Sequence, residues 1–409
     1  MSNKYTAIKY RIYPTDTQAE MIQKTIGSAR FVYNMMLSMA GDVYKRSGLT
    51  LRKFDYNYLL THVLKEKFPW LCDVDKFALE SSNEALAEAY SHFFKGAGFP
   101  NYKSKHKSRL SYTTKITGNN ISVGTDHIKL PKLKEVKAVI HRIPGNDYKI
   151  KKATISYDRS GEYYCSVIFE YESDITPVAV ESIEECIGLD FSEKCMYVDN
   201  EGNRGNIPSY YRNLQKRLVR EQHKLSRMIE ANIVDYKVVG KKRYPVYKKP
   251  LSECKNIQKQ RLVISRIHKH IADQRTDYLH KRSNQITNDY NLICIEDISI
   301  RDMMMDKSDD PSAIKRHNIN KKTLNNGWYR FTTMLVYKAE RKGCTVIKIP
   351  KDYPSSQICN CCGYRDPDLQ DVSVRKWICP DCKKHHDRDI NAAINIRNKG
   401  YQIYKEQIA

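Results

Sequence analysis

Residues 354–397 read PSSQICNCCGYRDPDLQDVSVRKWICPDCKKHHDRDINAAINIR, two Cys-x-x-Cys pairs set directly before an acidic motif. The pairs are Cys359/Cys362 and Cys379/Cys382, with 16 residues between Cys362 and Cys379. This is the spacing of a four-thiolate zinc ribbon. Each pair closes a tight knuckle with its sulfurs inward, and two knuckles supply the tetrahedral set that one structural Zn²⁺ takes. Cys361 crowds the first knuckle and could stand in for Cys362, although the x-x spacing favours Cys362.

Working outward, the 409 residues allow two to four domains and a substantial core. The formal net charge of +23 points to a polyanionic partner held through phosphates, nucleic acid first. No apolar run approaches 18 residues and no signal-peptide pattern opens the chain, so the expectation is a soluble cytoplasmic protein with no membrane partner. Of 12 cysteines only those near the C-terminus cluster, a pattern that suits a reducing compartment with one metal site.

At the N-terminus, Ile8, Tyr10 and Ile12 alternate with Lys9 and Arg11, a half-buried strand ended by Pro14. Thr15 and Gln18 have the spacing of a capping box, and Ile22, Ile26, Ala29, Tyr33 and Met36 line one helical face. Helical patterns follow over residues 52–65 and 75–94. The basic run NYKSKHKSRLSYTTK then leads into short strands (NISV, HIKL, AVIHRI) and the hairpin ATISYDRSGEYYCSVIFEYE, which together suggest a small barrel or sheet. From residue 181 the pattern alternates between apolar strands and helices. Two long amphipathic helices carry basic outer faces, either solvated or phosphate-facing, joined by the linker YKVVGKKRYPVYKKP, read as a loop able to lie against a phosphate backbone. A polar segment spans residues 303–326, and a helix from Trp328 to Lys342 and the strand CTVIKIP precede the cysteines.

Three acids stand at comparable places in this second half. Asp190 ends one buried strand, Glu296 ends another, and Asp389 precedes a helix over residues 390–397. Ionised carboxylates avoid such surroundings unless paired or bound to metal. A converging set suits Mg²⁺ or Mn²⁺, and two ions about 3.5–4 Å apart can activate water and stabilise the leaving oxygen in phosphodiester cleavage. Asp297, Asp387, His385 and His386 are the neighbouring alternatives. Arg388 reads equally as a phosphate contact or a surface salt-bridge partner.

IGLDFSEK, CIEDISI and CNCCGY…WICPDCKKHHDRDINAAINI resemble the three RuvC-like nuclease motifs and inserted zinc finger of the TnpB family, which is encoded by insertion-sequence transposons and related to type V CRISPR effectors. The likeness extends to KYRIYPTDTQ…ARFVYN, AEAYSHFFKG…FPNYKSK…SYTT and LVYKAERKGCTVIKIPKDYPSSQICNCCG. It implies a multidomain α+β and α/β chain. A wedge β-barrel (residues 1–15 and 106–180) is interrupted by a helical recognition lobe (16–105). An RNase-H-like RuvC nuclease domain follows (181–356 and 385–409), with a zinc ribbon inserted at 357–384.

The resemblance further implies an RNA-guided DNA endonuclease, a monomer carrying a guide RNA from the transposon end and cutting matched double-stranded DNA beside a short adjacent motif. Its catalytic, Mg²⁺-holding residues fall on Asp190, Glu296 and Asp389. Its motif-reading positions fall on Lys76, Phe77, Glu80 and Ser81 of one helix and on Ser111, Tyr112, Thr113 and Thr114 of the barrel. Glu80 and Ser81 replace the family's frequent glutamines, and the same helix reads equally well as a plain packing helix. The rivals are a nuclease-inactive RNA-guided repressor, against which the intact triad speaks, and a guide-free zinc-ribbon nucleic-acid-binding protein or transposase.

Overall fold

The computed structural model describes residues 2–145, 147–192, 194–206, 210–240, 242–298, 327–371 and 373–408. The polar segment at 303–326 lies outside the described residues. The chain divides into two compact units, Met1–Asp174 and Ile175–Ala409.

The first unit is built on one long strand. In β1 (Ser2–Tyr13) the alternation drives Ile8, Tyr10 and Ile12 into the core. Open edges on both sides pair antiparallel with β5 (Lys134–Val139) and β7 (Tyr163–Ser173). With β2 (Ser111–Lys115), β3 (Ser122–Val123), β4 (His127–Leu130) and β6 (Lys149–Tyr157), the strand order is β2-β6-β7-β1-β5-β4-β3, antiparallel throughout. The segment AVIHRI is extended only as far as Val139.

Helix α1 (Asp16–Ser47) starts on the expected capping box. The Gln18 amide donates to Thr15 Oγ1 at 3.3 Å, and the Thr15 amide donates to Gln18 Oε1 at 3.0 Å. Its predicted stripe is buried, with Ile22, Ile26 and Ala29 against the sheet and Tyr33 and Met36 against helices. Helix α2 (Lys53–Leu59) runs on through a π turn (Leu60–Leu64) that no periodicity announced. Helix α3 (Lys76–Phe94), capped by Asp75, packs on α1 and β2.

The second unit is a layered α/β fold. Strands β8 (Cys186–Phe191), β12 (Leu292–Glu296) and β13 (Thr345–Ile349) run parallel, and β9 (Tyr197–Asp199) adds an antiparallel edge, in the order β13-β12-β8-β9. Both faces are covered, as a parallel sheet requires. Ile187, Leu189, Ile293 and Ile295 face α5 (Lys255–Asp289) and α6 (Trp328–Lys342), meeting Leu279, Ile286 and Phe331. The alternate residues, Cys186, Leu292 and Cys294, face α7 (Arg388–Ile408) through Ile396 and Tyr404.

Two expectations are corrected here. Asp389 lies inside the first turn of α7 instead of before the helix, and α7 continues to Ile408. The basic linker is an antiparallel ribbon, β10 (Ile233–Val239) and β11 (Lys242–Tyr247), set between α4 (Tyr210–Glu230) and α5. Pro245 misled the reading, because a two-stranded ribbon is all edge and tolerates a residue without an N–H.

Candidate functional site

The sheet and α7 set Glu296 and Asp389 within electrostatic reach of Asp190. Side chains on a strand alternate, so Gly188 and Asp190 share the face that meets α7, as do Cys294 and Glu296 on the neighbouring parallel strand. The helix comes very close. A Cβ on Gly188 would lie 2.1 Å from the Ala393 carbonyl oxygen, and one on Gly400 would lie 2.3 Å from Cys294 Sγ. Asp389 is one helical turn before Ala393 and Asp190 is one pleat beyond Gly188, so the contact that admits only glycine lies one step from each of the two acids.

Burial pushes the Asp190 carboxyl well above its usual range, and the charges of Glu296 and Asp389 push it further, partly offset by Arg388 and Arg375. Burial likewise raises Glu296, against a hydrogen bond from Ser355 Oγ to Glu296 Oε1 at 2.7 Å. Asp389 Oδ1 accepts from Arg375 Nη1 at 3.0 Å. Carboxylate oxygens are the hard donors that Mg²⁺ or Mn²⁺ takes, and Asp190, which feels the charges of the other two acids, is the one on which such a set would centre.

The Asp-Arg-Asp motif divides into three tasks. Asp387 Oδ1 caps α7, accepting from the amides of Asp389 and Ile390 at 3.1 and 3.2 Å. Arg388, considered as a phosphate contact or surface partner, is 7 % exposed and turned inward. Its guanidinium donates to the carbonyls of Asp371 and Val374 and to Ser356 Oγ. Asp297 is exposed and pairs with Lys348 at 3.0 Å.

The four cysteines come together beside α7. All their Sγ atoms lie within 4.8 Å of one another, Cys359 to Cys382 and Cys362 to Cys379 at 3.6 Å. A tetrahedron of sulfurs about 2.3 Å from zinc has edges of roughly 3.8 Å. The knuckles are near copies. The Gly363 amide bonds the Cys359 carbonyl at 2.9 Å and the Lys383 amide bonds the Cys379 carbonyl at 3.0 Å, with φ of 78° at Gly363 and 59° at Lys383. Although burial alone would raise it, the Cys359 thiol is held down at about 6 by hydrogen bonds from the backbone of Cys362 and Cys361. Cys361 is exposed and its thiol donates to Asn360 Oδ1 at 2.8 Å. Cys361, Cys359 and buried His386 also form a three-ligand group, His386 Nε2 being 3.2 Å from Cys359 Sγ.

Two functional side chains escaped the sequence reading. Asn391 Nδ2 donates to the Ile358 carbonyl at 2.7 Å while its Oδ1 accepts from the Asn360 amide at 3.0 Å. Asn395 Nδ2 donates to the carbonyls of Ser355 and Ile358 at 2.8 and 2.6 Å. One turn apart on α7, they fasten the first knuckle to the helix that carries Asp389. Their signal was the pair of asparagines in NAAIN, spaced by four in a stretch, Ile390 to Ile396, otherwise made of apolar residues.

In the first unit, the candidate motif-reading residues split by strand alternation. Tyr112 and Thr114 are buried, Thr114 completely, and face inward. Ser111 and Thr113 face the other way, Thr113 sharing a hydrogen bond with Thr154 at 2.9 Å. On α3, Lys76 is exposed and Phe77, Glu80 and Ser81 are half-buried. Tyr112 and Thr114 are therefore core residues in this fold, not surface readers.

Comparison with known proteins now has a geometry to meet. Residues 168–306 match the profile described as "Probable transposase", 328–396 that of the "Cas12f1-like, TNB domain", and 1–48 that of a "Helix-turn-helix domain" from the same insertion-sequence group. The last of these stretches folds here as β1 and α1. The chain is 28 % identical over 397 residues to a "Putative RNA-guided DNA endonuclease" of Streptomyces pristinaespiralis, covering 96 % of this chain and 89 % of the relative. Against the "Putative RNA-guided DNA endonuclease InsQ" of Escherichia coli K12 the identity is 26 % over 411 residues, covering 97 % and 92 %. The fold matches the cryo-EM structure of the Cas12f1-sgRNA-target DNA complex with a TM-score of 0.53 at 11 % identity, over 97 % of this chain. Fold and profiles define a protein of mixed helix and sheet that matches transposase-type profiles and shares its fold with the Cas12f1 chain. It belongs to the TnpB family.

Proposed function

We propose that this protein is an RNA-guided, metal-dependent DNA endonuclease. Pairing between a bound RNA and one DNA strand would supply sequence specificity, while the protein reads a short flanking duplex and the backbone shape. Its second unit acts as a RuvC-like nuclease domain with an inserted zinc ribbon, and its first as the wedge and recognition lobe. The observation that carries the reading is that α7 and the sheet set both Glu296 and Asp389 where their charges act on the Asp190 carboxyl.

These three carboxylates would hold one or two Mg²⁺ or Mn²⁺ ions. Such ions, when bound, supply an activated water and charge neutralisation at phosphorus. The chain's own residues prepare the place. Ser355 fixes the rotamer of Glu296, Asp387 caps the helix that presents Asp389, and Arg375 balances the charge of Asp389. Cys359, Cys362, Cys379 and Cys382 would hold one structural Zn²⁺, the set favoured over Cys361 and His386 by the matched knuckles. Lys76, Phe77, Glu80, Ser81, Ser111 and Thr113 remain the positions proposed to read the adjacent motif.

The purified protein, expressed with its own flanking DNA, tests this. Sequencing of the co-purified RNA should yield one defined structured species, and the complex should linearise a plasmid carrying the matched target only with Mg²⁺ or Mn²⁺. Random RNA fragments, or cutting that ignores the RNA sequence, would overturn the reading.

A further inference from the structure

The ribbon β10–β11 pairs with no other strand and stands apart from the four-stranded sheet of the second unit. The register pairs Tyr236 with Pro245, Lys237 with Tyr244 and Val238 with Arg243, so alternate pairs fall on opposite faces. Neither face is covered: Val238 is 61 % exposed, Val239 57 % and Tyr244 50 %. An isolated two-stranded ribbon is marginal in water, and exposed β-branched residues on both faces are a liability without a partner. Its base is fixed, because Asn232 Nδ2 donates to the Lys249 carbonyl and the Lys248 amide to the Asn232 carbonyl, both at 2.8 Å. The ribbon is thus a held arm, not a frayed loop.

Charge says what covers it. Residues 233–249 contain six basic side chains against one acid, Asp235. The aromatic rings say more. Tyr236 and Tyr244 lie on opposite faces, with the Arg243 guanidinium 5.3 Å from the Tyr236 ring centroid. Rails of phosphate along a duplex need only the cations. Tyrosines with a neighbouring guanidinium suit unpaired bases, which stack on such planes and are the usual target of sequence-specific RNA recognition. Apolar surface left open on both faces suits a partner that stays bound, not one met only at the moment of cutting.

We propose that the β10–β11 ribbon grips unpaired nucleotides of the RNA the protein carries, the tyrosines stacking on bases and Lys237, Lys242 and Arg243 binding the adjoining phosphates. This deepens the reading of the protein as RNA-guided and rests on it.

The test uses the full-length protein, with the RNA recovered from the wild-type complex as probe. The pair Tyr236→Ala/Tyr244→Ala and, separately, Lys237→Gln/Lys242→Gln/Arg243→Gln should weaken RNA binding about 10- to 100-fold. The triple variant should also flatten the plot of log affinity against log salt by roughly 2. Photocrosslinking of the wild-type complex should map to peptides containing Tyr236 or Tyr244. Unchanged melting temperatures and zinc content show that the variants fold, as solvent-facing substitutions should. RNA binding by wild type that neither variant weakens overturns the ribbon assignment alone. So does a loss confined to target-DNA binding by the loaded complex. A wild-type protein that retains no defined RNA overturns the guided reading, and the ribbon assignment with it.

Discussion

At the residue scale, Asp190 feels both burial and the charges of the other two acids. Because its carboxyl and that of Glu296 are held above their ordinary values, the folded chain binds more protons than the unfolded chain over the interval between. The stability tied to these groups is full below the unfolded value, near about 4, and is lost as pH rises through the folded values. Asp190→Asn removes part of that loss. Without divalent metal, the variant should melt roughly 2–4 °C above the parent at pH 8, the shift that about 1 kcal/mol gives a domain of this size, and the gap should close at acid pH. Calorimetry across pH in chelator checks it, and an unchanged or lower melting temperature at pH 8 would contradict it.

A second residue-scale pair sits in the knuckles. Gly363 and Lys383 occupy the same position with positive φ, which costs a residue with a side chain about 1–2 kcal/mol and glycine little. Lys383→Gly should therefore stabilise the zinc-loaded protein by up to about 1 kcal/mol, whereas Gly363→Ala should destabilise it by a similar amount. Equal effects of one sign on thermal melts would show the knuckles are not alike.

Among the elements, α7 is the piece through which the parts communicate. It closes on β8 at Gly188, carries Asp389 in its first turn and fastens the cysteine knuckle through Asn391 and Asn395. Gly188→Ala must push the helix away, costing about 1–3 kcal/mol as overpacking does, and should cut nuclease activity more than RNA binding. Asn395→Ala takes its donor from the Ser355 carbonyl and leaves the Ile358 carbonyl with Asn391 alone, at about 1–3 kcal/mol. It should preserve zinc content while lowering cleavage, with metal analysis and plasmid digestion as the two readouts; loss of zinc would mean the clamp is part of the metal knuckle itself.

Much of this was legible beforehand, because some signals are local. The capping box at Thr15, the strand from Leu292 to Glu296 and the helix from Trp328 to Lys342 follow from periodicity and end chemistry within a few residues. The cysteine spacing and the three acids were equally plain as residue types. What could not be read was set by tertiary partners. Arg388 faces inward because carbonyls at 371 and 374 wait there, and Asn395 matters because Ser355 and Ile358, about 40 residues away, lie beneath it. Tyr112 and Thr114 were misplaced because one step along a strand reverses the face presented, and sequence likeness does not specify which face meets the core.

For the molecule as a whole, the charge of +23 suits a polyanionic partner, and four cysteines able to hold one metal ion lie beside the helix that carries Asp389. Zinc should be structural. Cys379→Ser should drop bound zinc from one equivalent to none and lower the melting temperature of the second unit, while adding Mg²⁺ to the zinc-free protein should not restore cleavage. Restored cleavage would move the ribbon off the nuclease path.

The most direct measurement pairs binding with cutting in one variant. Asp190→Ala, purified with its RNA, should bind matched target DNA within about threefold of wild type and leave both strands intact in Mg²⁺, a loss of at least about 1,000-fold in rate of the size that removal of a catalytic charge gives. Cleavage by that complex at anything near the wild-type rate would contradict the assignment of Asp190, Glu296 and Asp389 as the nuclease centre.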